Sequence, residues 1–220
     1  MPKIKTVLFD LDGTLADTAP DLAGALNHVL KSHNYEPLPY ETIRPYVSHG
    51  GAALITLGFG KEHPEFDTLY QELLQYYHNN IANETTLFLG MNELLLELEE
   101  RRINWGVVTN KPSWLTDPLI EALNLTSRAS TIVSGDTLEQ RKPHPAPILH
   151  ACRQAESEAH ECLYVGDAER DIEAGNAAGM PSIVALFGYI AKSDKPNKWN
   201  AHSSINHPKE ILSIIDSLNN

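Results

Sequence analysis

The stretch FDLDGTLADT, residues 9 to 18, places Asp10, Asp12 and Asp17 directly after the apolar run VLF. A strand that ends in acids carries them to the edge of a sheet, and ligands of open α/β sheets bind at the carboxyl ends of the strands. Three further apolar runs end in reactive groups. Thr109-Asn110-Lys111 closes WGVVT, Lys142-Pro143 follows STIVS, and Gly166-Asp167 with Asp171 follows CLYVG. Such a set suits phosphoryl transfer, where positioning and charge stabilisation do most of the work. Asp10 is the candidate nucleophile, forming an aspartyl-phosphate that water then hydrolyses. Asp12, two residues on, is the candidate acid/base, protonating the leaving alkoxide and then taking a proton from water. Thr109 and the N–H groups of the loop after Asp10 are candidate partners for phosphoryl oxygens. Asn110 and Lys111, on the same edge, are candidate substrate contacts.

Charge counting adds a cofactor. With Asp12 protonated, Asp10, Asp167 and Asp171 together with a phosphate dianion repel one another in an unassisted site. A hard divalent cation is expected, and all-oxygen ligation by carboxylates, phosphate and water favours Mg2+ over zinc. Lys142 supplies a further positive charge. DLDGT also resembles the opening of a calcium loop, but the oxygen ligand at the fifth position and the bidentate glutamate at the twelfth are missing.

Five β-rich runs position these residues: 4–10, 105–109, 130–134, 162–166 and 182–187. Apolar strands alternating with helical patterns predict an α/β fold, a Rossmann-like parallel sheet covered on both faces. Met91, Leu94, Leu95 and Leu98 form one core-facing helical stripe, and Ile211, Leu212, Ile215 and Leu218 another. The gap between the first two strands is too long for one crossover helix. It holds two stripes of its own, Leu22, Ala25, Leu26, Val29, Leu30 and Phe66, Leu69, Tyr70, Leu73, Leu74, Tyr77. A small helical cap is therefore expected over 16–89, inserted into a core made of 1–15 and 90–220. Gly90 marks a hinge, and Asp17-Thr18 before Pro20 reads as a helix cap.

Composition narrows the partners. The chain has 220 residues, 42% hydrophobic and 21% charged, enough for one good core and a small second one. A net charge of −12 opposes binding to nucleic acid and leaves a small anionic metabolite as the expected partner. No stretch reaches membrane-spanning length, and Asp10 interrupts the N-terminal apolar run before it could serve as a signal core. No membrane partner is expected, and the expected location is the cytoplasm. Cys152 and Cys162 lack metal-ligand spacing and read as small apolar residues.

DLDGTLADT, VVTNK, KP and GDAERD resemble, in order, the four motifs of the haloacid-dehalogenase superfamily of hydrolases. The resemblance covers essentially the whole chain. It implies Asp10 as nucleophile, Asp12 as acid/base and, through its backbone carbonyl, as a metal ligand, and Thr109 and Lys142 as phosphate contacts. It also implies Asp167 in the metal site, with Asp171 orienting it. Superfamily dehalogenases lack a carboxylate at the position of Asp12, so a phosphatase is the expected activity. Length, cap placement and TNK resemble the phosphoglycolate phosphatase branch. The tail FGYIAKSDKPNKW, 187–199, is similar to N-acetylmuramic acid 6-phosphate phosphatases. On that resemblance the GYI segment and Trp199 are expected to line the substrate. His144 departs from the aspartate that many relatives carry after KP.

Both candidate substrates carry a carboxylate besides the phosphate. The segment IRPYVSHGGAALI, 43–55, is the candidate second anion contact, with Arg44, Ser48 and His49 ahead of a glycine pair at a helix start. Two other readings share the motifs: a non-catalytic Mg2+ and phosphate module, and a sugar-phosphate mutase. A signalling module needs a long-lived acyl phosphate, which a general base at position 12 would shorten.

Overall fold

The computed structural model describes residues 3–220. The chain runs β1 (Thr6–Phe9), β2 (Ala16–Asp17), α1 (Ala19–Ser32), α2 (Tyr40–Ile43), a 3-10 segment (Arg44–His49), α3 (Gly51–Phe59), α4 (Phe66–Asn79) and β3 (Thr86–Leu87). It continues through α5 (Met91–Glu100), β4 (Asn104–Val108), α6 (Ser113–Ala122), β5 (Thr131–Val133) and α7 (Ala146–Gln154). The last elements are β6 (Cys162–Gly166), α8 (Glu169–Ala177), β7 (Ser182–Ala185), β8 (Ser203–Ile205) and α9 (Glu210–Leu218).

Six strands form a parallel sheet in the order β5-β4-β1-β6-β7-β8. Alternation along β1 explains why the sheet is covered on both sides. Val7 and Phe9 pack with Trp105, Val107 and the stripes of α5 and α9, while Leu8 packs with Val108, Tyr164 and residues of α7 and α8. The chain leaves β1 toward β4 and β5, then crosses back to β6 on the other side. That reversal makes the carboxyl end of β1 the switch point where a ligand crevice forms.

Helices α1, α3 and α4 bury their apolar stripes against one another. Leu22, Leu26 and Leu30 of α1 meet Leu54 and Ile55 of α3 and Leu69, Leu73 and Tyr77 of α4 in a cluster of their own. Two short strands, β2 and β3, pair antiparallel where the chain enters and leaves these helices. Gly90 begins α5 in a left-handed conformation, with φ of 85°. No helix among the described residues is long and apolar enough to cross a membrane.

Candidate active site

Each parallel strand delivers its terminal residues to one edge, so the groups that follow β1, β4, β5 and β6 converge. The carboxylate oxygens of Asp10, Asp167 and Asp171 lie within 4.8 Å of one another, and all three residues are buried. The ammonium of Lys142, also buried, sits 2.9 Å from Asp10 Oδ1 and 2.8 Å from Asp171 Oδ1. The Asp171 contact is an ion pair without hydrogen-bond alignment. Lys142 donates instead to the Val108 carbonyl at 2.7 Å and the Tyr164 hydroxyl at 2.8 Å, which fixes the head group between β4 and β6, the two strands flanking β1.

Local contacts aim each acid differently. Asp10 Oδ1 accepts the Leu11 N–H at 2.7 Å and faces Lys142, while Oδ2 has no hydrogen-bond partner among the described residues. Asp167 Oδ2 accepts the Ser48 hydroxyl at 2.6 Å and the Tyr189 N–H at 2.8 Å, and Oδ1 accepts the Thr14 hydroxyl at 3.3 Å. Asp171 Oδ2 accepts the Ala168 N–H at 3.0 Å, in the first turn of α8. With its other oxygen on Lys142, Asp171 orients that cation. Asp12 stands apart from this cluster. Its Oδ1 accepts Thr18 Oγ1–H at 2.6 Å and the Lys111 ammonium at 2.7 Å, leaving Oδ2 for other work.

The electrostatics follow from burial and crowding. Burial, then repulsion from Asp171, pushes the Asp10 carboxyl up to about 6 despite Lys142. Burial, then Asp10 and Asp171, pushes Asp167 up to about 7. Burial also works against Asp171, but Lys142 and Arg170 outweigh it and hold its carboxyl below the usual range. Burial opposes the charge on Lys111, but Asp12 and Tyr77 together outweigh it and hold the ammonium above its ordinary value. Two buried carboxyls that resist ionisation beside a third are a set that a cation would relieve. The donors are all oxygen, with neither His nor Cys in the cluster, which fits a hard divalent ion. The packing around Asp167 is equally specific. Gly13, with φ of 85°, and Gly188 both close on that carboxylate, and a Cβ at either position would collide with it.

A cavity of about 350 Å3 opens onto these groups. Asp10, Asp12, Thr109, Lys111 and Lys142 form its floor, and His49, Gly50, Gly51, Tyr70, Leu74 and Tyr77 of the inserted helices form its roof. Asn110 also lines it, but its amide is used at home, donating to the Lys142 carbonyl at 2.9 Å and accepting the Lys142 N–H at 3.0 Å. That pair supports the lysine loop in the presence of His144.

Several expectations are corrected. Arg44 does not line the cavity. Its guanidinium donates to the carbonyls of Gly188 at 3.1 Å and Phe187 at 3.2 Å and lies 4.8 Å over the Tyr189 ring, so it straps the 3-10 segment to the loop after β7. No correction falls on the GYI segment and Trp199: Tyr189 and Trp199 line an adjoining cavity of about 280 Å3 that shares Ser48, His49 and Arg170 with the main one and includes Asp167, and Trp199 packs on Ile172 and Val184. Asp17 and Thr18 do not cap α1 through their side chains. Thr18 holds Asp12, and Asp17 Oδ1 accepts the Tyr189 hydroxyl at 2.7 Å. The sequence reading gave Thr18 only the role of a helix cap and did not single out Tyr164 or Arg170. Ser48, expected to contact a substrate anion, donates its hydroxyl to Asp167. A carboxylate-rich loop must have donors, and the nearby hydroxyls of Thr14 and Thr18 are the sequence signal for them.

The Arg44 strap leads to a prediction. Hydrogen bonds from a charged donor are worth about 1.5–3 kcal/mol when well buried and less at a part-exposed site. Arg44→Ala is expected to lower unfolding free energy by about 1–2 kcal/mol, read as a lower urea midpoint at unchanged slope. Arg44→Lys keeps the charge but not the planar fork and is expected to recover only part of the loss.

Residues 7–185 match the family model for haloacid dehalogenase-like hydrolases. A phosphoglycolate phosphatase of Xylella fastidiosa is 41% identical over 217 residues, covering 96% of this chain and 93% of that protein. An N-acetylmuramic acid 6-phosphate phosphatase of Pseudomonas putida is 37% identical over 218 residues, covering 98% and 97%. The crystal structure of a predicted phosphoglycolate phosphatase from Haemophilus somnus superimposes with a TM-score of 0.86 at 27% identity, covering 97% and 99% of the two chains. The chain belongs to the haloacid dehalogenase-like hydrolase family, among its phosphoric monoester hydrolases.

Proposed function

We propose that this chain hydrolyses a small phosphomonoester through a covalent intermediate on Asp10, with Mg2+ as cofactor. The preferred substrate is N-acetylmuramic acid 6-phosphate, and phosphoglycolate is the alternative. Asp10, Asp167 and the backbone carbonyl of Asp12 would hold the cation, with Asp171 orienting the set. When bound, Mg2+ supplies positive charge against the phosphate and the crowded carboxylates.

The chain's own groups account for the remaining chemistry. Asp10 Oδ2 attacks phosphorus while Oδ1 stays on the Leu11 N–H and Lys142. Thr109 and Lys142 face the phosphoryl group from the cavity floor. Asp12, held through Oδ1 by Thr18 and Lys111, gives a proton from Oδ2 to the leaving alkoxide and later takes one from the attacking water. A tethered acid/base inside the cavity favours turnover over storage of an acyl phosphate, which argues against a signalling module.

The size and lining of the cavity carry the substrate reading. At about 350 Å3, roofed by Tyr70, Leu74 and Tyr77, it has far more room than a two-carbon acid needs and suits a substituted sugar ring. The Gly50-Gly51 start of α3, beside His49, is the proposed seat of the substrate carboxylate. Partial desolvation and the nearby Arg170 hold the His49 imidazole below its ordinary pKa, so it serves as a neutral hydrogen-bonding group. His49→Ala is therefore expected to raise KM more than it lowers kcat, as for a contact made equally in ground and transition states. Side-by-side kcat/KM values test the substrate. A preference for phosphoglycolate by about tenfold, roughly 1.4 kcal/mol of transition-state binding, would move the assignment to the alternative.

A further inference from the structure

Arg170 is the second residue of α8, where the helix dipole disfavours a cation by about 0.3–1 kcal/mol. Its position is nonetheless defined. Nη2 donates to the Ser48 carbonyl at 2.6 Å, tying the core to the inserted segment that also binds Asp167. A guanidinium has five N–H donors, and this bond is the one that Arg170 makes among the described residues. No carboxylate of the described residues comes within ion-pairing distance of it. It lines the main cavity together with Asp10, Thr109 and Lys142, and it also lines the smaller cavity beside Asp167. A half-buried cation with most of its donors unengaged beside an anion-handling floor has the chemistry of an oxyanion contact.

Charge balance points the same way. Asp10, Asp167, Asp171 and a phosphate dianion, set against Lys142 and a divalent cation, leave two negative charges uncompensated. Arg170 removes one of them, and Lys111 offsets Asp12 whenever that carboxyl is ionised.

We propose that Arg170 is a second cation of the phosphate site: tied by one N–H to the Ser48 carbonyl, it presents its other N–H groups to the non-bridging oxygens of the bound phosphoryl group. The inference rests on the reading of the cavity as a phosphomonoester site. It also makes phosphate binding and closure of the 44–49 segment parts of one contact, because the same guanidinium serves both.

The test is binding of inorganic phosphate in the presence of Mg2+, by calorimetry and by inhibition of p-nitrophenyl phosphate hydrolysis, in wild type, Arg170→Met and Arg170→Lys. Arg170→Met is expected to weaken phosphate by at least about tenfold, with a lower thermal midpoint because the bond to the Ser48 carbonyl is lost as well, and Arg170→Lys to recover part of the phosphate loss. Phosphate affinity within about threefold of wild type in Arg170→Met overturns the inference, leaving Arg170 as a strap for Ser48. Should Arg170→Met fold poorly, Arg170→Gln decides alone: it keeps N–H donors without the charge, and phosphate affinity within about threefold of wild type in it overturns the inference. Wild-type protein that neither binds phosphate nor hydrolyses the ester would instead sink the reading of the site itself.

Discussion

Asp10→Asn is expected to reduce hydrolysis to near background while the protein stays folded. The substitution preserves shape but removes the attacking oxygen and one of the crowded anions. Burial and Asp171 hold the native Asp10 carboxyl at about 6, above its value in an unfolded chain. A carboxyl shifted in that direction makes its most favourable contribution below the unfolded value and loses it as pH rises toward 6, so the ionised form is destabilising at neutral pH in the absence of a cation. The variant should therefore unfold at the same temperature as cation-free wild type or higher, which separates lost chemistry from lost structure. Retention of more than about a tenth of wild-type kcat, a barrier change under roughly 1.4 kcal/mol, would contradict the covalent role.

Asp12→Asn is expected to trap the intermediate. General acid–base catalysis contributes about 100- to 10,000-fold, and an aryl phosphate with a good leaving group needs little of the acid half. Phosphorylation of Asp10 should then continue while water attack slows, because the base is gone. The Asn side chain can still accept from Thr18, so the loop is expected to hold. Rapid-quench mass analysis should find one added phosphoryl group on the peptide containing Asp10. Undiminished steady-state turnover without that adduct would remove Asp12 from the mechanism.

The parts of this site visible in the sequence are those fixed by strand ends. An apolar run followed by Asp, Thr or Gly-Asp carries its own register, because a parallel sheet brings all carboxyl ends to one edge. Asp10, Thr109, Asp167 and Asp171 were legible for that reason. Arg44 was not, since the direction of a side chain on a 3-10 segment depends on how that segment docks, and here it docks on the loop after β7. Trp199, expected from resemblance, packs on Ile172 and Val184 and lines the cavity beside Asp167 and Arg170. Strand β8, Ser203–Ile205, has no apolar run to announce it and forms as the edge partner of β7. The paired residues of β2 and β3 are too few to show any period. Arg170 lay between two acids already assigned, and its signal was the unfavourable place of a cation in the first turn of a helix.

The central claim is that this cluster of buried carboxylates is a cation-dependent phosphomonoesterase site. Release of p-nitrophenol from p-nitrophenyl phosphate by the wild-type chain, measured with Mg2+, after chelation by EDTA, and after Mg2+ is restored, tests it most directly. Hydrolysis with Mg2+, its loss on chelation and its return on reloading are the expected results. No hydrolysis with Mg2+ present, or hydrolysis indifferent to chelation, would contradict it.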